Sequence, residues 1–336
     1  MISPKNRIIL PGLAGLLLAV VLGSLLLGRY PITPGQVFAI ALSRVFPIEH
    51  FWTDQMENIF FNVRLPRILL AGMVGACLSA AGAAYQGVFQ NPMAAPDVLG
   101  ASSGAAFGAA LAIILGLSRQ GIAVSAFGFS LLTVLLVMTV GRRVRGNPVT
   151  GLILAGIMLH SLFTAGTSYI KLVADPTDQL PAITYWLLGS LAGTKYADLL
   201  FALIPMSAGL LTLLLLRWPL NLLTLGDDEA GTLGLNVRRC RTLAVLAATL
   251  VTASAVAVSG MIGWVGLVIP HMARRISGSN FRILMPASML LGAAFLVAVD
   301  NVSRTLWNSE IPIGILTAFV GAPFFLYLLV RKEAIS

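Results

Sequence analysis

Runs of about 20 mostly apolar residues, the length that crosses a bilayer as a helix, recur along the whole chain with no polar module between them. They cover about residues 8–28, 68–85, 98–117, 121–140, 151–172, 197–216, 243–261, 283–299 and 313–330. A shorter apolar piece, 263–269, is expected to be interrupted by Pro270, since proline removes a helix donor. Counted as a short helix, it brings the elements to ten. The expected class is an all-α polytopic membrane protein, one transmembrane domain over residues 1–336. Composition agrees. Only 10% of residues are charged, against roughly 25% in a soluble domain, too few to cover a globular surface. A soluble enzyme, a DNA-binding domain and a secreted disulfide scaffold are excluded.

The first run follows Lys5 and Arg7 and superficially resembles a signal peptide. Its apolar stretch exceeds the ~7–15 residues of a signal core and no small-x-small cleavage site follows, so a retained helix is expected. Lys and Arg favour cytoplasmic connectors. An inside N-terminus places Lys5, Arg7, Arg142, Arg143, Arg145, Arg217, Arg238, Arg239, Arg241, Arg274, Arg275, Arg282, Arg331 and Lys332 in the cytoplasm. It leaves the smaller set of Arg29, Arg44, Arg64, Arg67, Arg119, Lys171, Lys195 and Arg304 outside. Both termini are therefore expected to be cytoplasmic. The net charge of +9 is largely topological, and no nucleic-acid partner is expected. Cys77 sits in an apolar run and Cys240 in a basic connector, so no bridge between them is expected. Glycines within the spans, as in Gly100-Ala-Ser-Ser-Gly104 and Gly108, suit close helix packing in lipid.

Three connectors are more specific than turns. Residues 85–97 carry Asn91, Pro92 and Pro96, which break the helix near the inner membrane edge. Non-helical backbone at that depth must be buried in protein or line a water-filled cavity; the residues alone leave a pathway and a tight corner both open. The connector 217–241 holds Asp227, Asp228 and Glu229 where a short helix would start and Gly234 where it would end, as the helix dipole and C-capping favour. It is either a docking piece for a soluble partner or a solvated loop. In Gly263–Arg275, His271 invites a metal or catalytic reading. A metal site needs several converging ligands, and His50 and His160 fall elsewhere, so a structural histidine is the expectation, with no metal site and no catalytic residue.

No phosphate-binding G-x-x-x-x-G-K-[ST] loop is present, so ATP is not used by this chain through that route. H-E-x-x-H and C-x-x-C are missing as well. Acids that would mark a proton relay within spans are scarce; Asp300 lies at the outer end of one helix and Glu310 just beyond it. Energy is expected to come from a partner.

One set of residues resembles the permease subunit of type II ABC importers, which handle iron–siderophores, haem, cobalamin and related metal chelates (the FecCD-type permeases). The pieces are Arg64-Leu-Pro-Arg67, Gln86 with Asn91-Pro92, Pro96, Leu99-Gly100, Trp186-Leu-Leu-Gly-Ser190, Leu225-Gly226 and Leu233-Gly234. They continue with Gly266-Leu-Val-Ile-Pro-His271, Arg274, Asp300, Arg304, Glu310-Ile-Pro-Ile-Gly314 and Gly321-Ala-Pro-Phe324, in order over almost the full length. The resemblance implies a homodimer with ten helices per subunit and a central pathway working by alternating access in the cell inner membrane. Two copies of a cytoplasmic ABC ATPase would bind below, holding the ATP and Mg, and a periplasmic or lipid-anchored binding protein above; this subunit would carry no cofactor. It further implies ATPase coupling through 217–241 at Gly226, Ala230, Leu233 and Gly234, and docking of binding-protein acids on exposed Arg64, Arg67 and Arg304. The inner gate would lie at Asn91 and Met93, with a second constriction at Val149 and Thr150. Trp264 stands where Phe is frequent, Ser279–Arg282 replaces an Asp-His-Arg-like run, and 174–184 differs from the cobalamin permeases. An iron–siderophore is the leading substrate, with haem, cobalamin or an oxyanion such as molybdate or tungstate as alternatives. A secondary carrier working alone, or an intramembrane enzyme built on His271, would need deep carboxylates or a second convergent group.

Overall fold

The computed structural model describes residues 4–144 and 148–330, without the side chains of 4–7, 148, 328 and 329. The charges of Lys5, Arg7, Arg145, Arg331 and Lys332 lie outside the described residues. The order is α1 (Pro4–Leu26), α2 (Pro34–Leu42), α3 (Asp54–Ile59), α4 (Leu65–Val88), α5 (Ala101–Ile114), α6 (Arg119–Gly141), α7 (Pro148–Val173) and α8 (Gln179–Leu188). It continues with α9 (Tyr196–Leu215), α10 (Arg217–Leu223), α11 (Asp227–Thr232), α12 (Val237–Ser259), α13 (Val265–Ser277), α14 (Phe281–Thr305) and α15 (Ile313–Val330). A π-turn over Phe60–Arg64 joins α3 to α4, and a 3₁₀ turn over Pro96–Leu99 precedes α5. Among the described residues, seven helices are long and apolar enough to cross a bilayer. With the shorter α5, α13 and α15 they recover the ten expected elements.

Burial is uneven. The helix over 54–88 is 78% buried across its most apolar window, whereas α1 is 11% buried. The reason is in the residues. From Ala71 to Ala84, α4 is dominated by Ala, Gly and Ser, and small side chains let neighbouring backbones close in where lipid supplies no hydrophobic drive. A Cβ on Gly75 would lie 2.2 Å from the Gly292 carbonyl oxygen of α14, and one on Gly82 would lie 1.7 Å from that of Gly266 in α13. Ser79 Oγ donates to the Ser288 carbonyl at 2.8 Å, tying α4 to α14 at the same depth.

The expected interruption at Pro270 does not occur: α13 continues through it to Ser277. Without an N–H at position 270, the Gly266 carbonyl loses its usual helical donor. That carbonyl instead faces Gly82, where only a glycine leaves it room. Proline and glycines are thus one packing device shared between helices.

Two of the quoted motifs, Trp186–Ser190 and Glu310–Gly314, meet the end of α12 in irregular backbone between α8, α12 and α15. Ser190 donates its N–H to the Ser259 carbonyl at 2.8 Å, and Ile313 donates to that of Gly189 at 2.9 Å. These cross-bonds satisfy polar groups that lipid could not. Trp264 enters α13 with φ of +69° and packs beneath Gly321.

Helices the sequence did not announce are α2, α3 and α8. Thr33 and Thr53 start the first two, each accepting a backbone N–H three residues on, as N-caps do.

Candidate coupling, gating and docking surfaces

One end of the bundle, the inner end in the expected orientation, gathers α10, α11 and the 89–95 connector. The 217–241 connector contains two helices rather than the single one expected. Asn221, on α10, accepts the Phe281 N–H at 2.8 Å and so fixes α10 to the start of α14. Gly226 follows with φ of +117° and its carbonyl accepts the Ala230 N–H. Asp227, Asp228 and Glu229 occupy the first turn of α11, where the dipole favours acids. Its end is a Schellman cap: Leu235 N–H bonds the Ala230 carbonyl, Gly234 N–H bonds that of Gly231, and Gly234 has φ of +83°. Such a cap needs a residue at ease in the left-handed region.

This geometry gives α11 two faces. Ala230 is fully buried against the bundle, and Asp227 accepts both Arg241 Nη atoms at 2.6 and 3.0 Å. Leu225 and Leu233 stay more than half exposed, and nothing lies within 4 Å of a Cβ on Gly234. A short helix is held from behind and bare in front.

The break after α4 is anchored to this connector. Gln90, with φ of +50°, donates from Nε2 to the Leu223 carbonyl at 2.7 Å. Asn91 Oδ1 accepts the Met93 N–H at 2.8 Å across Pro92, leaving Asn91 and Met93 exposed. Asp97 accepts the Ser102 N–H at the start of α5. The 3₁₀ turn then packs on α7, where a Cβ on Gly156 would be 2.3 Å from the Val98 carbonyl. Val149 is half-buried and Thr150 exposed in the first turn of that helix. Gln86 accepts from Arg274 at 3.0 Å, linking the end of α4 to α13. His271 is half-buried beside these groups. Among the described residues, no group of three or more His, Cys, Asp or Glu could hold a metal ion.

The opposite end corrects an expectation. Arg64, Arg67 and Arg304 are not exposed; they retain 3%, 5% and 7% of their surface. Arg67 holds Asp300 through Nε and Nη2 at 2.9–3.1 Å and Glu310 through Nη1 and Nη2 at 2.9 Å. Arg64 donates to the Leu25 and Tyr30 carbonyls, so close to Gly28 that a Cβ there would meet its Nη2 at 2.6 Å. Arg304 bonds the Ser24 carbonyl and hydroxyl and Asn301. The physical cause is cost: a guanidinium at a helix end packed by α1 and α14 is stable only when carboxylates and carbonyls surround it. The sequence offered both signs, Arg67 and Asp300, without showing that they meet.

The model of the FecCD transport family matches residues 16–331. The molybdate import system permease protein MolB of Haemophilus influenzae is 41% identical over 94% of each chain. A Helicobacter pylori protein named "Probable iron chelatin transport system permease protein" is 43% identical over 84% of this chain and 85% of its own. Among solved structures, a metal-chelate type ABC transporter in an inward-facing conformation matches with a TM-score of 0.87 and 39% identity, over 97% of this chain and 99% of that one. By the family match over residues 16–331 and by these likenesses over most of its length, the chain belongs to the FecCD transport family as the multi-pass permease subunit of an ABC importer.

Proposed function

We propose that this chain, as one permease domain over residues 1–336, forms a homodimeric pathway in the cell inner membrane with both termini cytoplasmic. It takes a metal chelate, foremost an iron–siderophore, from a periplasmic or lipid-anchored binding protein and releases it to the cytoplasm by alternating access. The observation that carries this reading is α11: buried at Ala230, pinned at Asp227, and bare at Leu233 and Gly234. A rigid helix with a small-residue face suits insertion into a groove on a cytoplasmic ABC ATPase. Two copies of that ATPase would supply the hydrolysis and hold ATP and Mg; this subunit carries neither catalytic residue nor cofactor.

Asn91 and Met93, with Val149 and Thr150, form the inner constrictions. Methionine is flexible and apolar, able to seal against its symmetry mate and to repack on opening. The surface around Arg64, Arg67 and Arg304 receives the binding protein. Since these guanidiniums already have intrachain partners, they act by holding that surface in shape, and Glu310, one-third exposed at its side chain, is the group at its rim.

Haem, cobalamin and molybdate or tungstate are the alternative cargoes within the same machine, the oxyanions being favoured by the MolB likeness. The test is ATP-driven uptake in vesicles holding the permease, its ATPase and its binding protein. Iron–siderophore accumulation that molybdate does not compete with is expected; molybdate accumulation without iron–siderophore uptake would replace the leading cargo. Uptake without the ATPase would make the chain a stand-alone carrier.

A further inference from the structure

A cavity of about 530 Å³ opens between the inner ends of α6, α7 and α12, beside the first residue of α11. Its polar wall carries Arg142, Arg238 and Arg241, with Asp227 as its acidic member. Asp227 is already committed to the two Nη atoms of Arg241. Arg241 itself is 8% exposed, and its Nε is buried without a hydrogen-bond partner among the described residues. A buried N–H of this kind is costly when unpaired. Among the described residues Arg142 donates to Thr242 Oγ1, at a long 3.5 Å. Arg238 and Arg241 also lie in the first two turns of α12, where the helix dipole adds positive potential. The wall is therefore cationic in excess and holds an unused donor.

Apart from Thr242, the remaining side chains of the lining are apolar: Met138, Val144, Leu152, Val237 and Val245. On the same helices Val140, Leu243 and Leu246 are outward and well exposed. Several hundred Å³ is the scale of pockets that take organic ligands, much more than a bare tetrahedral anion fills. Basic pockets between spanning helices on the cytoplasmic side suit phosphate headgroups. We propose that this cavity binds a phosphate-class anion, with the phosphodiester of an anionic phospholipid against the arginines and its glycerol and first methylenes on the apolar floor. The site goes beyond the transport reading, and only its assignment to the inner leaflet rests on the proposed orientation. An occupant would bind α6 and α12 together beside the Asp227–Arg241 pair, placing lipid within one ion pair of the coupling helix.

The test uses the delipidated full-length chain in mild detergent, with binding read by native mass spectrometry and thermal unfolding. The probes are phosphatidylglycerol, phosphatidylcholine and inorganic phosphate. Phosphatidylglycerol is expected to bind and to raise Tm where phosphatidylcholine does not. Arg142→Gln with Arg238→Gln should weaken it roughly tenfold or more, from about 1 kcal/mol per basic residue near a lipid phosphate. Val144→Trp, which narrows the cavity without changing its charge, should weaken it too, and serves if the double variant fails to fold. Protection by inorganic phosphate alone, lost in the arginine variant, supports the site and assigns it to a free anion. Equal binding of the two lipids, or phosphatidylglycerol binding unmoved by either variant, overturns it. Neither readout involves the ATPase or transport, so failure here leaves the permease reading standing.

Discussion

Both ends of the bundle are rich in arginine, and they use it in opposite ways. At the end proposed as outer, Arg64, Arg67 and Arg304 are buried among intrachain partners, namely Asp300, Glu310, Ser24 and the Leu25 and Tyr30 carbonyls. At the end proposed as inner, Arg142, Arg143, Arg238 and Arg239 stay exposed, and Arg241 is buried with its two Nη atoms on Asp227. The outer cluster closes three helices on one another. The inner one leaves α11, the 89–95 connector and a basic cavity facing whatever binds there. Charge at a helix end therefore does not by itself mark a docking site; what matters is whether its partners lie within the chain.

The contrast is broken most severely at Arg67. Arg67→Ala strands Asp300, which is 1% exposed, without its bidentate partner, a loss of roughly 3–5 kcal/mol for a buried pair cut on one side. Thermal unfolding in detergent should show a large fall in Tm. Combining it with Asp300→Asn and Glu310→Gln should recover part of the loss, because no buried charge is then left alone. An unchanged Tm would mean that the cluster is solvated.

Ala230→Trp comes next, at about 1–3 kcal/mol for overpacking a filled seat. The change should lift α11 from the bundle, seen as faster proteolysis within 224–236 with the spanning helices intact. Asp227→Asn should cost about 1 kcal/mol, since the carboxylate is 44% exposed although Arg241 is buried, and solvent screens a pair with one open member. The difference from wild type should shrink further at high salt. Smallest in energy is Met93→Cys, an exposed position. Its informative readout is disulfide crosslinking between the two subunits of the assembled transporter, with a yield that changes with nucleotide. No crosslink in any nucleotide state would move Met93 off the gate.

Much of this was legible locally. The ten apolar elements follow from hydropathy and run length, and α11 follows from three acids and a glycine set five to seven residues further on. What escaped reading depends on partners distant in sequence. Pro270 ends a helix by every local rule, yet Gly82, almost 190 positions earlier, supplies the space that lets α13 pass it. Arg67 finds Asp300 and Glu310 at separations of 233 and 243 residues. Arginines near a membrane surface suggested a partner protein, and the internal carboxylates became visible only when α4 and α14 were laid side by side. The short helices α2 and α3 were within reach, since Thr33 with Gln36, and Thr53, are local capping signals. Their brevity hid them among apolar spans.

The division between a closed end at Arg67 and an open end at α11 is tested most directly by Gly234→Trp in the permease reconstituted with its cognate ATPase. The side chain would enter open space in front of α11, at a left-handed position that costs the isolated permease only about 1–3 kcal/mol. The expected result is a folded permease that no longer retains the ATPase on size exclusion, or that retains it with ATP hydrolysis uncoupled from uptake. A Gly234→Trp complex that assembles and transports at the wild-type rate would contradict the account.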